Sequence, residues 1–292
     1  MSVSLVYHGG ALGDFLTALP AMAAWRRQHP GEHLVLLGKL AFAELTPHGL
    51  FDEVWDAESP RFAWVFGNAG DSRTTACLPM SSVSSALLFS SASSALSANL
   101  TRAGVHNVVR QDPFPATPVP IVDYHLSLFS GVTFSEEQRT PVIARRPASL
   151  PVPPHTAAVH PGSGSARKNW PLAKFVSLSR LLEARGFHVR WITGPAEETL
   201  ALPAGASVWH DVPLPHLAAA LSSSELYVGN DSGITHLAAA AGCATVALFG
   251  PTDPTVWAPR GRRVRVVVAP EKKLCLLDEE TVFADCCWLL RR

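Results

Sequence analysis

The stretch Val228–Pro254, VGNDSGITHLAAAAGCATVALFGPTDP, decides the fold of this 292-residue chain. It starts in an apolar strand, turns through polar residues, continues in the Ala-rich helix Ile234–Ala241 and enters a short apolar strand, Val246–Phe249. This order of strand, helix and strand is typical of a parallel α/β sheet. Such sheets bind ligands at the carboxyl ends of their strands, where helix N-termini present N–H groups to anions. Polar residues follow both strands, so the pattern predicts a binding site there; two ordinary turns are the alternative.

Strand and helix alternate on both sides of this stretch, which predicts two α/β domains. Four prolines between residues 147 and 154 predict an extended connection. We therefore predict an N-terminal domain at 1–146, a proline-rich linker at 147–155 and a C-terminal domain at 156–292. The other predicted elements are the strands Val3–Tyr7, His33–Leu37, Phe51–Trp55, Ala86–Phe89, Asn107–Arg110, Thr156–His160 and His188–Thr193, and the helices Phe15–Gln28, Leu40–Leu45, Ser94–Ala103, Pro171–Arg185, Leu214–Ser222 and Asp278–Leu290.

Composition restricts the class of protein. Hydrophobic residues make up 47% of the chain and charged residues 16%, which suits parallel strands buried on both faces. The 24 Lys and Arg residues balance the 24 Asp and Glu residues, so no net charge favours binding to nucleic acid. No apolar run reaches the roughly 20 residues of a transmembrane helix. The chain starts without a basic leader segment, and its five cysteines form no C-x-x-C pair, so we expect a cytoplasmic location.

Two loops carry the residues best suited to chemistry. The first, GGALGD at 9–14, uses Gly10 and Gly13 to turn from a strand into a helix; it is not the G-x-G-x-x-G of dinucleotide-binding proteins. Asp14 falls near the start of that helix, where capping is the ordinary role of an aspartate. The second loop, SGSARKNWP at 163–171, offers hydroxyls and backbone N–H groups, and Lys168 could neutralise a diphosphate. It lacks the P-loop spacing, and a solvated basic turn is the alternative.

Three motifs in order resemble the signature of glycosyltransferase family 9, the heptosyltransferase-type enzymes. They are Gly10-Ala11-Leu12-Gly13-Asp14, His160-Pro161-Gly162-Ser163 leading into Arg167-Lys168-Asn169-Trp170-Pro171, and Asp231 to Ala239 followed by Gly250-Pro251-Thr252-Asp253-Pro254. The resemblance implies two doubly wound, Rossmann-like domains that face each other across a cleft, the GT-B architecture. It also implies that the N-terminal domain binds the acceptor, that the C-terminal domain binds the nucleotide-sugar, and that the last helix packs back on the first domain.

The resemblance assigns roles to individual residues. Asp14, on the acceptor-side loop with Gly10 and Gly13, matches the catalytic base, and Lys168 matches the phosphate lysine. Glu198 best matches a glutamate that binds the ribose, with Glu197 as the alternative; acids in a first helical turn also suit the helix dipole. The remaining donor-binding candidates are Ser163, Ser165, Asp231, Ser232, Gly233 and His236. A structural role is favoured for His236, and Thr252 and Asp253 fit a turn as well as a binding loop.

The resemblance implies that a sugar is transferred, with inversion, to a glycan or lipopolysaccharide-core acceptor. The sugar expected first is heptose, and its donor is ADP-heptose. No metal-ligand spacing is present, so no metal or cofactor is expected. Peripheral association with the inner membrane is compatible with a glycolipid acceptor. The Ser-rich segment 67–97 is poor in the basic residues that an anionic acceptor requires, so the acceptor can differ from the family norm. A non-catalytic nucleotide-sugar-binding protein and a sugar-nucleotide epimerase remain alternatives.

Overall fold

Two parallel β-sheets organise the chain in a computed structural model that describes residues 2–67 and 82–291. The chain divides into two compact units. The first comprises the residues up to Thr117 and Ile121–Gln138, and the second comprises Pro118–Pro120 and Arg139–Arg292. The proline-rich segment 147–155 falls inside the second unit, so the boundary lies earlier than these prolines suggest. Residues 68–81 of the Ser-rich segment lie outside the described residues.

The sheet of the first unit has the strand order β3-β2-β1-β4-β5. Its strands are β1 (Val3–His8), β2 (His33–Gly38), β3 (Glu53–Asp56), β4 (Val83–Phe89) and β5 (Asn107–Gln111). All its strand pairs are parallel, and the last residue of β1, His8, pairs with the last residue of β4, Phe89. The order reverses between β1 and β4. This is the topological switch point, where open α/β sheets bind ligands.

The sheet of the second unit has the order β11-β10-β9-β6-β7-β8. Its strands are β6 (Thr156–His160), β7 (His188–Thr193), β8 (Val208–His210), β9 (Leu226–Asn230), β10 (Ala244–Phe249) and β11 (Val264–Val268). When these strands are counted from β6, the order is that of the Rossmann fold. The switch point lies between β6 and β9, where His160 pairs with Gly229.

Helices follow most strands, as the alternating pattern predicts. The α-helices of the described residues are α1 (Leu12–Gln28), α2 (Leu40–Ala43), α3 (Ala63–Phe66), α4 (Leu96–Arg102), α5 (Ile121–Leu126), α6 (Glu136–Arg139), α7 (Leu172–Glu183), α8 (Leu214–Ser222), α9 (Gly233–Ala240), α10 (Pro254–Trp257) and α11 (Glu279–Leu290). No helix in the described ranges is long and apolar enough to cross a membrane. The predicted α/β class with two doubly wound sheets is confirmed.

Each unit has its own core. In the first unit, Leu5, Val35 and Leu88 of the sheet are buried with Phe62 and Leu96 of the helical layer. In the second unit the core of the described residues includes two tryptophans, Trp170 and Trp191, which are 1% and 2% exposed. These tryptophans fill the space between the sheet and the helices, so the loop that carries Trp170 is fixed by hydrophobic burial.

The last helix, α11, belongs to the core of the second unit. Val282, Cys286 and Leu289 recur at helical spacing and are buried there. The helix contacts α7, β10 and β11, and Asp278 caps its N-terminus by accepting a hydrogen bond from the Thr281 N–H at 2.7 Å. Its further packing on the first domain stays a prediction.

Candidate functional site

The candidate donor site lies in the second unit, at the carboxyl ends of β6 and β9. The two loops that the sequence singled out leave the sheet here: His160 ends β6, and Asn230 ends β9. Both strands flank the switch point. The structure therefore brings Ser163 and Lys168 of the first loop to the same edge as Asp231, Ser232 and Gly233 of the second.

Asn230 joins the two loops. Its side chain is fully buried, and its Oδ1 accepts a hydrogen bond from the Trp170 backbone N–H at 2.9 Å. Its Nδ2 donates to the carbonyl oxygens of Pro161, at 2.8 Å, and Gly162, at 3.4 Å. Because a buried amide with these bonds has one favoured orientation, Asn230 fixes the separation of the loops. The sequence reasoning assigned no role to this residue.

Lys168 and Asp231 form the charged centre of the site. The Lys168 Nζ donates to Asp231 Oδ2 at 3.1 Å, and their side chains are 26% and 9% exposed. The Thr252 hydroxyl donates to the same oxygen at 2.8 Å. The structure therefore places Thr252 against a site carboxylate, whereas Asp253 has a turn role and accepts from the Thr255 N–H at the start of α10.

Ser232 caps α9. Its hydroxyl accepts from the Thr235 N–H at 3.4 Å and lies 3.2 Å from the Thr235 hydroxyl. Thr235 in turn bonds the buried Tyr227 hydroxyl at 2.9 Å, and burial raises the pKa of Tyr227. The Ser232 hydroxyl is thus already hydrogen-bonded within the protein. What the turn can offer an anion is its backbone N–H groups, beginning with that of Gly233, the first residue of α9.

Two buried histidines flank the charged pair. Burial lowers the pKa of His160 to about 4 and that of His236 to about 4. For His236 the Asp231 carboxylate opposes this shift, and the Lys168 ammonium adds to it. His160 Nδ1 lies 3.4 Å from the Ser232 hydroxyl. Both imidazoles are therefore neutral near pH 7, and the only site cation among these residues is Lys168. The favoured structural role of His236 agrees with its burial, and its donor contact stays a prediction.

The hydroxyl of Ser163 forms several of the hydrogen bonds that hold the loop after β6 in its conformation. The Ser163 hydroxyl lies 2.6 Å from Asn169 Oδ1 and 2.8 Å from the Ser165 carbonyl oxygen, and it accepts from the Ser165 N–H at 3.2 Å. Ser165 itself is exposed. The structure therefore gives Ser163 a loop-forming role and leaves the Ser165 side chain facing solvent.

The structure distinguishes the two glutamates. Glu197 is 9% exposed, and its carboxylate accepts from the Gly194 N–H at 2.8 Å. A methyl group added to Gly162 would lie 2.0 Å from Glu197 Oε1, so the carboxylate packs directly on the loop after β6. Glu198 is exposed. Of the two candidates, Glu197 is the one that the short helical turn directs inward. Which of the two binds a ribose stays a prediction, with Glu198 the first choice from the sequence.

In the first unit, Asp14 lies just after the loop that follows β1, in the first turn of α1. The N-cap of α1 is Ala11, and Asp14 is the third residue of the helix; its Oδ2 accepts from the Ala11 N–H at 3.1 Å. Asp14 thus stabilises the helix start, although not as the predicted N-cap. A methyl group added to Gly10 would lie 3.1 Å from Asp14 Oδ2 and 3.0 Å from His8 Cε1. Gly10 therefore lets the chain pass between these side chains, while Gly13 lies in the first turn of α1.

Three buried polar atoms around Phe89 have no hydrogen-bond partner in the described parts of the chain. They are His8 Nδ1, Ser90 Oγ and His125 Nδ1. The two histidine rings lie 5.7 and 5.1 Å from the Phe89 ring, measured between centroids. Burial, and secondly the charge of His125, lowers the pKa of His8 to about 3, and burial lowers that of His125 to about 4.

Residues 2–67 and 82–291 contain no group of three or more His, Cys, Asp or Glu side chains placed to hold a metal ion. At the carboxyl edge of the second sheet, Lys168, Asp231 and the buried Glu197 supply charge. A cation, an acid and free helix N–H groups in one place can bind a ligand that carries both phosphate and hydroxyl groups.

The sequence model of glycosyltransferase family 9 (heptosyltransferase) matches residues 122–285. The chain belongs to this family. The match includes the whole candidate donor site but not Asp14. Lipopolysaccharide heptosyltransferase 3 of Escherichia coli is 32% identical over 111 residues, 35% of this chain and 33% of the relative. Lipopolysaccharide heptosyltransferase 1 of Pseudomonas aeruginosa is 35% identical over 118 residues, 38% of this chain and 33% of the relative.

The alignments with these two curated relatives thus span about a third of their length. The fold is shared more widely than the sequence. The structure of the E. coli ADP-heptose lipopolysaccharide heptosyltransferase II superposes with a TM-score of 0.76 at 17% identity. That superposition covers 100% of this chain and 99% of the other.

Proposed function

We propose that this chain transfers a heptosyl group from ADP-heptose to a glycan or lipopolysaccharide-core acceptor. The observation that carries the proposal is the Lys168–Asp231 pair at the switch point of the second sheet, within the region that matches the heptosyltransferase family. Two of the curated relatives are lipopolysaccharide heptosyltransferases by name. The reaction would take place at the cytoplasmic face of the inner membrane, where a glycolipid acceptor is available.

The donor is bound through its diphosphate, its ribose and its sugar. Lys168 neutralises the diphosphate, and the N–H groups at the start of α9 bind its oxygens. Glu197 accepts hydrogen bonds from the ribose hydroxyls, a role supported by its position against Gly162. Asp231 accepts from hydroxyls of the sugar through Oδ1, since Oδ2 already has two donors. The neutral imidazole of His236 lines the same edge without adding charge.

Asp14 is the proposed base. An acceptor hydroxyl oxygen attacks the anomeric carbon, the bond from that carbon to the diphosphate oxygen breaks, and ADP leaves with the electron pair. Asp14 takes the hydroxyl proton. A single displacement inverts the anomeric configuration. The negative charge that develops on the leaving diphosphate is stabilised by Lys168 and backbone N–H groups, so the proposed reaction needs no metal.

The test is incubation of the full chain with ADP-heptose, with and without a lipopolysaccharide-core oligosaccharide. We expect ADP release that depends on the acceptor, a product of inverted anomeric configuration by NMR, and unchanged rates in excess EDTA. ADP-heptose binding without turnover under any condition would indicate a non-catalytic binding protein. Conversion of the nucleotide-sugar to an isomer without ADP release would indicate an epimerase. Loss of activity in EDTA that magnesium restores would overturn the metal-free mechanism.

A further inference from the structure

One oxygen of Asp231 has two donors. Lys168 Nζ lies 3.1 Å from Oδ2, and the Thr252 hydroxyl lies 2.8 Å from the same atom. The two donors come from different loops, since Lys168 follows β6 and Thr252 follows β10. A diphosphate bound to Lys168 brings a second anion to its three-donor ammonium group and competes with Asp231 for the lysine. The question is then what keeps the carboxylate satisfied.

The carboxylate of Asp231 is buried and therefore depends on hydrogen-bond donors from the protein. The Asp231 side chain is 9% exposed, so solvent cannot readily replace a lost donor. A buried carboxylate that loses its partner is strongly destabilised. The Thr252 hydroxyl provides a second bond that does not depend on Lys168. It also competes for the oxygen that holds the lysine, which weakens the ion pair in the absence of ligand.

The loop that carries Thr252 is anchored on both sides. A methyl group added to Gly250 would lie 2.8 Å from Leu274 Cγ, so the backbone before Thr252 packs closely on a buried leucine. After Thr252, the Asp253 carboxylate accepts from the Thr255 N–H at 2.9 Å and from the Thr255 hydroxyl at 2.8 Å. The Thr252 hydroxyl is therefore presented to Asp231 from a fixed backbone.

We infer that Thr252 is a positioning residue that keeps Asp231 paired and correctly oriented when Lys168 turns to the diphosphate of the donor. This inference rests on the proposed function, because it assumes that the site binds a nucleoside diphosphate. It assigns Thr252 an indirect role: the residue acts through Asp231 and Lys168 and touches neither ribose nor base. Thr252 thereby lowers the cost of transferring the lysine from its internal partner to the ligand.

The test measures ADP and adenosine binding to the full chain by calorimetry. Thr252→Val should weaken ADP binding about 3- to 10-fold, the range for one hydrogen bond, and leave adenosine binding within about twofold. Thr252→Ser keeps the hydroxyl and should restore ADP binding. In a Lys168→Ala background, Thr252→Val should have almost no further effect, because no lysine is left to transfer. The matched control is Thr281→Val, which removes a Thr–Asp hydroxyl bond of 2.9 Å at the start of α11 and should leave ADP binding unchanged.

An equal effect of Thr252→Val in the wild-type and Lys168→Ala backgrounds, or a failure of Thr252→Ser to restore binding, would assign Thr252 to loop stability and overturn the inference. Wild-type affinity for ADP in Thr252→Val would also overturn the inference, because the hydroxyl would then have no role in ADP binding. These results differ from failure of the proposed function. If the wild-type chain binds ADP no more tightly than adenosine, the diphosphate site itself is refuted, whatever the variants do.

Discussion

The switch points of the two sheets carry similar loops but opposite hydrogen-bonding patterns. At β6 and β9 of the second unit, the polar side chains bond one another: Asn230 joins both loops, and Asp231 has two donors. At β1 and β4 of the first unit, His8 Nδ1 and Ser90 Oγ are buried without a partner in the described residues. The same topological position is therefore internally satisfied in one unit and unsatisfied in the other.

This difference separates two kinds of site. A satisfied network holds its groups in place before a ligand arrives, which suits the donor diphosphate in the proposed function. Unpartnered buried groups cost stability, and in native proteins they are concentrated where function requires them. In the first unit, one of these groups, His8, lies across Gly10 from the proposed base, Asp14. The second unit should therefore lose both stability and binding when its network is cut, whereas the first can gain stability from an apolar substitution.

The largest expected effect concerns the base of the first unit. Asp14→Asn should lower turnover by about two to four orders of magnitude, because the amide cannot take the acceptor proton. The amide oxygen still accepts from the Ala11 N–H, so the unfolding free energy and the ADP affinity should stay close to wild type. Steady-state kinetics and ADP calorimetry measure both. Near-normal turnover excludes the role, and a drop in melting temperature with a proportionate loss of activity favours capping alone.

A second prediction cuts the network of the second unit. Asn230→Asp replaces two donated bonds with a buried charge facing the Pro161 and Gly162 carbonyl oxygens, and should lower the unfolding free energy by about 3–5 kcal/mol. ADP affinity should fall as well, because the loops are no longer joined. Urea unfolding and calorimetry at low temperature give both values.

The control for that prediction lies in the first unit. Asn99 is also buried, and its Nδ2 donates to the carbonyl oxygens of Val65 at 3.1 Å and Gly67 at 2.9 Å. Arg102 donates to Asn99 Oδ1 at 2.8 Å and would partly neutralise the new charge. Asn99→Asp should therefore destabilise the chain by less than Asn230→Asp does, and it should leave ADP affinity unchanged in the folded protein. If Asn99→Asp and Asn230→Asp reduce ADP affinity equally, the loss reflects general instability and the special role of Asn230 is refuted.

The smallest expected effect compares two buried serines in and directly after β4. Ser85, in β4, bonds the Ser4 hydroxyl at 2.8 Å, whereas Ser90, just after β4, has no side-chain partner in the described residues. Ser85→Ala should lower the unfolding free energy by about 1 kcal/mol, and Ser90→Ala should leave it unchanged or raise it by up to about 1 kcal/mol. Thermal and urea unfolding measure the difference. A loss at Ser90 as large as that at Ser85 means that Ser90 has a partner after all, and the contrast between the units fails.

The strands that are buried on both faces of a sheet could be predicted from the sequence. Strands such as Thr156–His160 and His188–Thr193 were predicted with the bounds that the structure has, because central parallel strands are continuous apolar runs. The edge strands β8 and β11 were missed. Val208–His210 has one buried residue and Val264–Val268 has one, so neither carries the apolar signal of a central strand.

Only those residues of the candidate site that lie in local sequence motifs could be predicted from the sequence. Lys168, Asp231 and Ser232 stand in local patterns that predict their neighbourhood. Asn230 was missed because its partners are 60 to 69 residues away in the chain, and no local pattern reports a long-range bond. A usable signal existed, since an amide at the end of a buried apolar strand must find hydrogen-bond partners. Sequence order also cannot show which of two adjacent acids a short helical turn directs inward; in the structure that acid is Glu197, not Glu198.

The most direct test of the account is the binding of ADP and of adenosine to Lys168→Ala, compared with wild type by calorimetry. In the proposed function the diphosphate binds at the charged centre of the second unit. The substitution should therefore weaken ADP binding by about 1.5–3 kcal/mol, the range for a charged hydrogen bond. Adenosine, which has no phosphate, should bind both proteins with similar affinity. Equal weakening of ADP and adenosine, or unchanged ADP binding, would contradict the assignment of Lys168 and the donor site built around it.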